Sequence, residues 1–192
     1  MAIPSYLNSN PLIRAIFWRR YDKVYRMAGL TPDMTVCEFG CGIGAFLPTL
    51  ASETEQVYAV DLFPQYAQAM AQELDISVKF SEELSSVPDS SLDLLFAVEV
   101  MEHLHDPVAY LKLFAQKLKA NGRLVMSGPT ESALYKLGRF MVGYNKYHDY
   151  HEHNVYELVE VIAANGFKLD RMIRYPSSIL PLNLICSFTL ED

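Results

Sequence analysis

The sequence predicts a doubly wound α/β domain: a seven-stranded, mostly parallel sheet with an antiparallel last strand and helices on both faces. Three observations carry this reading. Short apolar runs alternate with helical stretches along the chain, the pattern of a parallel sheet covered by helices. The run Leu92–Val98 is apolar at every position but Asp93, as a strand buried on both faces requires. A turn containing Gly40, Gly42 and Gly44 follows the first strand, where such sheets bring backbone close to a ligand.

The elements follow in order. Pro11, after Asn10, opens a helix over residues 11–28 that Gly29 ends. Residues 35–39 form a short buried strand, followed by the glycine turn and a helix to about residue 52. Residues 56–60 are the second strand, and Pro64 opens a helix to about residue 74. Residues 76–80 are the third strand. Pro88-Asp89 marks a turn before the fourth strand, 92–98. Asp106-Pro107 starts the next helix as cap and first-turn proline, running to about residue 119. Asn121-Gly122 then launches the fifth strand, 123–127. Residues 129–153 are irregular, rich in Tyr and His, and too long for a simple connection. Asn154 caps a last helix that ends at Asn165-Gly166. Strands over 167–174 and 182–190, joined by residues 176–181, form a closing antiparallel pair.

Composition bounds the function. A chain of 192 residues, 51% hydrophobic and 20% charged, suits one globular domain with a sizeable core. We read residues 1–192 as that single domain. A net charge of −7 argues against broad electrostatic binding of nucleic acid. Three cysteines (Cys37, Cys41 and Cys186) imply no disulfide framework, and no second Cys or His pair completes a zinc site around the first two. They read as small buried residues. The opening residues lack the pattern of a signal peptide, and no stretch of 18 apolar residues exists. The expected location is the cytoplasm.

Gly40, Gly42 and Ala45 also match a G-x-G-x-x-A dinucleotide fingerprint, and Asp61 ends the second strand where an acid would bind ribose hydroxyls in either class. Glu38 separates the two. It stands two positions before the first glycine, and a carboxylate beside a pyrophosphate would repel it in a poorly solvated cleft. S-adenosylmethionine instead brings an ammonium and a sulfonium, both cationic.

Taken together, the motifs resemble those of class I S-adenosylmethionine-dependent methyltransferases of the ubiquinone-biosynthesis, type 11 kind, whose fold is Rossmann-like. The resemblance rests on Val36–Gly44, on Val57–Asp61, on Pro88–Leu95 with Glu99–Leu104, and on Leu118–Leu124. It implies that Glu38, Gly40 and Gly42 hold the methionine part of the donor, Asp61 the ribose, and Leu62 the adenine face, with Cys41 and Glu99 as further donor-binding residues. The family usually carries an Asp after the third strand that reaches the adenine amino group. Here Ser81-Glu82-Glu83 stands instead, so that Ser81 fills the position or Glu82 substitutes.

The implied reaction is methyl transfer to a small-molecule acceptor, governed mainly by in-line positioning. His103 and His151 are candidate bases, with His148 and His153 beside them. Glu99, Glu102 and His103 also resemble the acid-histidine motif that binds a divalent metal in some relatives, with i, i+3, i+4 spacing that a helix would gather on one face. We read the motif as shaping the pocket floor and the helix entry, with no metal; a divalent metal on these three residues is the alternative. Residues 1–30 read as a helical lid. Residues 12–28 carry the basic side chains Arg14, Arg19, Arg20, Lys23 and Arg26. Ile13, Phe17, Tyr21, Val24 and Ala28 share one face of that helix, and Arg19, Lys23 and Arg26 another. The basic face is either solvated or in peripheral contact with an anionic membrane. Residues 129–153, with Tyr135, Tyr144, Tyr147 and Tyr150, would line the acceptor pocket. A monomer or homodimer is expected. The competing readings are a donor-binding protein of the same fold without catalysis and a nicotinamide-dependent oxidoreductase.

Overall fold

The computed structural model describes residues 9–130 and 152–191, with the side chains of residues 12 and 13 excepted. The elements are α1 (Pro11–Ala28), β1 (Thr35–Phe39), α2 (Leu47–Glu53), β2 (Gln56–Val60), α3 (Gln65–Glu73), β3 (Lys79–Ser81), β4 (Leu92–Val98), α4 (Pro107–Lys117), β5 (Leu118–Pro129), α5 (Val155–Ala164), β6 (Phe167–Tyr175) and β7 (Asn183–Leu190). Single 3₁₀ turns cover Leu84–Ser86 and Met101–His103.

The seven strands form one sheet in the order β3-β2-β1-β4-β5-β7-β6. β1 through β5 are parallel, and β7 runs antiparallel to both β5 and β6. Period-2 alternation sorts the strand side chains onto two cores. Leu94, Phe96 and Val98 of β4 pack with Val36, Val125 and Ile185 under α1, α2 and α3. Leu95 and Ala97 pack with Phe39, Leu124, Met126 and Phe188 under α4 and α5. This is the doubly wound, Rossmann-like architecture expected.

The caps act as the sequence implies. Asp106 accepts from Ala109 N at 3.0 Å and Asn154 from Tyr156 N at 2.9 Å, satisfying donors at the starts of α4 and α5.

Four local expectations change. The segment after the glycine turn is not helical until Leu47, so α2 has only seven residues. β3 begins at Lys79 rather than residue 76, because Ile76 N still bonds Ala71 O and closes α3. α4 stops at Lys117, and Leu118 already pairs with Leu92. Asn121, at φ 59°, and Gly122 therefore bend the chain inside β5, where a Cβ on Gly122 would lie 2.8 Å from the Lys119 carbonyl oxygen. Finally, the Glu99–His103 motif does not start a helix. Glu99 lies in a bend at φ 55° and Met101–His103 is a 3₁₀ turn, while α4 begins four residues later. The helical convergence expected of Glu99, Glu102 and His103 is therefore absent.

The three cysteines are buried and free. Burial raises all three thiols, Cys186 to about 12, which suits packing residues rather than nucleophiles. Among the described residues, no helix is long and apolar enough to cross a membrane.

Candidate active site

After β1 the chain turns toward β2, and after β4 it continues to β5, so the two adjacent strands feed opposite halves of the sheet. At such a switch point the loops part and leave a crevice beyond the strand ends. The glycine turn and the Glu99–Met101 bend are its two lips.

The glycine turn is tied to the end of β2. Gly40 N and Cys41 N donate to Val60 O at 2.8 and 3.3 Å, and Gly44 N donates to Cys41 O at 2.8 Å. Gly42 N donates to an Asp61 carboxylate oxygen at 2.7 Å, and Phe63 N to the other at 2.9 Å. Asp61 therefore bridges the turn and its own loop. Gly40 and Gly42 both have positive φ, 76° and 55°. Their surroundings differ: a Cβ on Gly40 would meet Val100 Cγ2 at 2.5 Å, whereas one on Gly42 would meet nothing within 4 Å. The first glycine lets the two lips touch, and the second leaves room beside the turn.

Glu38 lies on the strand before this turn, 2% exposed. Its Oε2 is buried without a hydrogen-bond partner among the described residues. Burial pushes its carboxyl well above the ordinary value of 4.5, and the neighbouring Asp61 charge adds to the rise. A buried acceptor without a donor is costly. A cation or N–H donor arriving in the crevice would relieve that cost.

The adenine side is less enclosed. Leu62 is 76% exposed next to Asp61. The Ser81 hydroxyl donates to Glu83 O at 2.9 Å and accepts from Glu83 N at 3.1 Å. Ser81 is thus engaged within its own turn, while Glu82 is exposed.

Glu99, on the opposite lip, is occupied by protein. Its carboxylate accepts from Ser127 Oγ at 2.8 Å and from Asn183 Nδ2 at 3.0 and 3.1 Å, and pairs with Arg20 at 2.8 Å. A divalent ion here would have to displace a buried guanidinium. Among the described residues, no group of three His, Cys, Asp or Glu could hold a metal. Glu102 is buried, with its backbone carbonyl accepting from Glu152 N and His153 N. His103 is exposed on the 3₁₀ turn. These residues do not fit a metal through Glu99. His148, His151 and the tyrosines at 135, 144, 147 and 150 lie outside the described residues.

Arg20, Ser127 and Asn183 have no site role in the sequence reading. Arg20 counts there among the basic residues of the helix, yet it is only 2% exposed. One signal exists: Arg20, Val24 and Met27 fall at i, i+4 and i+7, the spacing of a buried stripe. Ser127 and Asn183 carry no local signal, since only the assembled sheet brings both of them to Glu99.

Known proteins share the sequence pattern and the fold. The sequence model of a family described as "Methyltransferase domain" matches residues 13–172. A "Ubiquinone biosynthesis O-methyltransferase" of Xanthomonas campestris pv. campestris (strain B100) is 33% identical over 103 residues, covering 50% of this chain and 43% of that protein. The match thus spans less than half the length of that curated relative. In fold, the chain is similar to N-methyltransferase NodS from Bradyrhizobium japonicum WM9 in complex with S-adenosyl-L-homocysteine. The TM-score is 0.73 at 18% identity, covering 98% of this chain and 92% of the other. It is also similar to the [4+2]-cyclase SpnF, with TM-score 0.72 at 16% identity and 90% and 80% coverage. At these identities the structural likenesses bear on the fold alone.

Proposed function

This chain belongs to the methyltransferase-domain family, and from that premise we propose that it binds S-adenosylmethionine at the glycine turn and transfers its methyl group to a small-molecule acceptor. The observation that carries the reading is Glu38, a buried carboxylate with an empty acceptor atom beside an open glycine turn. Such a group suits a ligand with a cationic amine and opposes a pyrophosphate.

When bound, the donor supplies a methyl group already activated by the sulfonium. The protein's part is then placement. Glu38 and the turn at Gly40, Cys41 and Gly42 hold the amino-acid end. Asp61, already oriented by Gly42 N and Phe63 N, accepts from ribose hydroxyls with its remaining lone pairs. Leu62 offers an exposed aliphatic face to the adenine. Glu82 is the better candidate for the adenine amino group, because the Ser81 hydroxyl is engaged by Glu83. Orientation of this kind can lower a barrier by about 7–11 kcal/mol. An oxygen or nitrogen acceptor would also need a base, and His103 and His151 are the candidates. Glu99 contributes by shaping the lip opposite the turn rather than by binding metal.

The test is calorimetry with S-adenosylhomocysteine and, as a control, NAD. Asp61→Ala is expected to weaken S-adenosylhomocysteine binding by about 1.5–3 kcal/mol, the scale of a hydrogen bond to a charged group. Unchanged affinity in that variant would remove the ribose assignment, and preference for NAD would overturn the donor. Because a cyclase shares this fold, donor binding does not establish turnover. A methyl-transfer screen starting with phenols, given the O-methyltransferase relatives, separates an active enzyme from a donor-binding protein. Activity that survives a chelator is expected.

A further inference from the structure

We propose that Arg20 is a positioning residue for the donor site: it holds Glu99 and, through Val100, sets the glycine turn, so that α1 is a working part of that site. The inference rests on the donor assignment proposed for the glycine turn.

Its first support is the location of the guanidinium. Arg20 comes from the middle of α1 and reaches the switch point, where its side chain is 3% exposed. Phe17 and Tyr21 flank it, with their ring centroids 5.5 and 5.6 Å from the guanidinium carbon. A long cationic side chain is rarely buried this deeply unless it is paired. Its partner is Glu99, at 2.8 Å.

The second support is the backbone of Glu99. At φ 55° it lies in the left-handed region, which a residue with a Cβ occupies only when its surroundings hold it there. Those surroundings come from three elements: α1 through Arg20, β5 through Ser127, and β7 through Asn183. Glu99 N also donates to Ser127 O at 2.9 Å. Losing the guanidinium would leave a part-buried carboxylate with neutral donors only, among the described residues. The strain would then have less to oppose its release.

The third support is the contact made by the next residue, Val100. It lies so close to Gly40 that a Cβ there would sit 2.5 Å from its Cγ2. Any relaxation at Glu99 moves Val100 and removes the wall against which Gly40 is set. The turn from Gly40 to Gly44 carries the Gly42–Asp61 contact, so the disturbance reaches both ends of the donor site.

The experiment uses the full chain and four variants: Arg20→Met, Arg20→Lys, Glu99→Gln and the double variant Arg20→Met/Glu99→Gln. S-adenosylhomocysteine affinity is read by calorimetry, the melting temperature of the unliganded protein by scanning, and amide exchange over residues 38–46 by mass spectrometry. Arg20→Met is expected to weaken binding about tenfold or more and to speed exchange in the turn without ligand, because it leaves the part-buried Glu99 carboxylate without its cation. The double variant should recover to within about threefold of wild type, since removing both charges cancels most of the coupling. Arg20→Lys should fall between wild type and Arg20→Met, and it carries the test if Arg20→Met does not fold. A lowered melting temperature with unchanged affinity and unchanged exchange in the turn would overturn the proposal and leave Arg20 as an anchor for the helix. Wild-type protein that fails to bind S-adenosylhomocysteine would overturn the donor assignment first, and this inference with it.

Discussion

At the scale of single residues, Glu38 makes the sharpest demand. Burial first, and the Asp61 charge second, hold its carboxyl above the ordinary 4.5. The sign follows from linkage. A raised acid is worth most to stability below its unfolded value, and that contribution is lost as pH rises through the folded value. A cationic ligand opposes that rise by favouring the ionised form. S-adenosylmethionine affinity should therefore increase with pH until Glu38 ionises unaided, and binding in that range should release a proton. Calorimetry in buffers of different ionisation enthalpy measures that release. Glu38→Gln should abolish it and bind the full donor more weakly, while adenosine binding changes little. An affinity flat with pH in wild type would show that the carboxylate meets no cation. Gly40 makes a steric demand instead. Gly40→Ala combines φ 76° with a 2.5 Å approach to Val100, and overpacking alone costs about 1–3 kcal/mol. Adding Val100→Ala should return part of that stability, measured by denaturant unfolding, but leave the cost of positive φ and the 2.8 Å approach to the Cβ at position 100.

At the scale of elements, the docking of α1 is the feature that pattern reading describes least well. The apolar stripe correctly places Val24 and Ala28 in the core, and Arg19, Lys23 and Arg26 are exposed as expected. Arg20 departs from its basic neighbours because Glu99, just past the end of the central strand β4, supplies a carboxylate for it. A second tie joins the same helix to β6, where the Tyr175 hydroxyl donates to Ile16 O at 3.0 Å. Tyr175→Phe removes that hydrogen bond and should cost about 0.5–1.5 kcal/mol in chemical denaturation. No loss would mean that water replaces the carbonyl's partner fully. The β4 entry is held differently. Lys117, buried at the end of α4, bonds the Asp89 carboxylate, as does Gln116. The Lys117 hydrogen bond, then that from Gln116, lowers the Asp89 carboxyl. Its contribution is therefore present above the unfolded value and lost as pH falls through the folded one.

At the scale of the whole molecule, two cores flank one sheet, and the crevice lies where the loops part at its strand ends. A ligand bound only to this folded arrangement adds stability by mass action. S-adenosylhomocysteine at about 100 times its dissociation constant should contribute about 2.7 kcal/mol. For a chain of this size that corresponds to a rise in melting temperature of about 5–11 °C. Absence of any shift at that concentration would contradict donor binding. The sequence by itself determined the strand count, the alternation that sorts side chains onto two faces, the caps at Asp106 and Asn154, and the glycine turn with Glu38 before it. Each of these is local: periodicity, capping and turn chemistry act within a few residues, and so they can be read from the order of the chain. The tertiary structure decided what depends on distant partners. Glu99, read from sequence as a donor or metal contact, is held by residues 79, 28 and 84 positions away, in a bend rather than at the start of a helix. Arg20 becomes buried only because that carboxylate waits at the switch point. Long-range electrostatic pairing leaves no periodic trace in a sequence, so it emerges only when the strands are laid side by side.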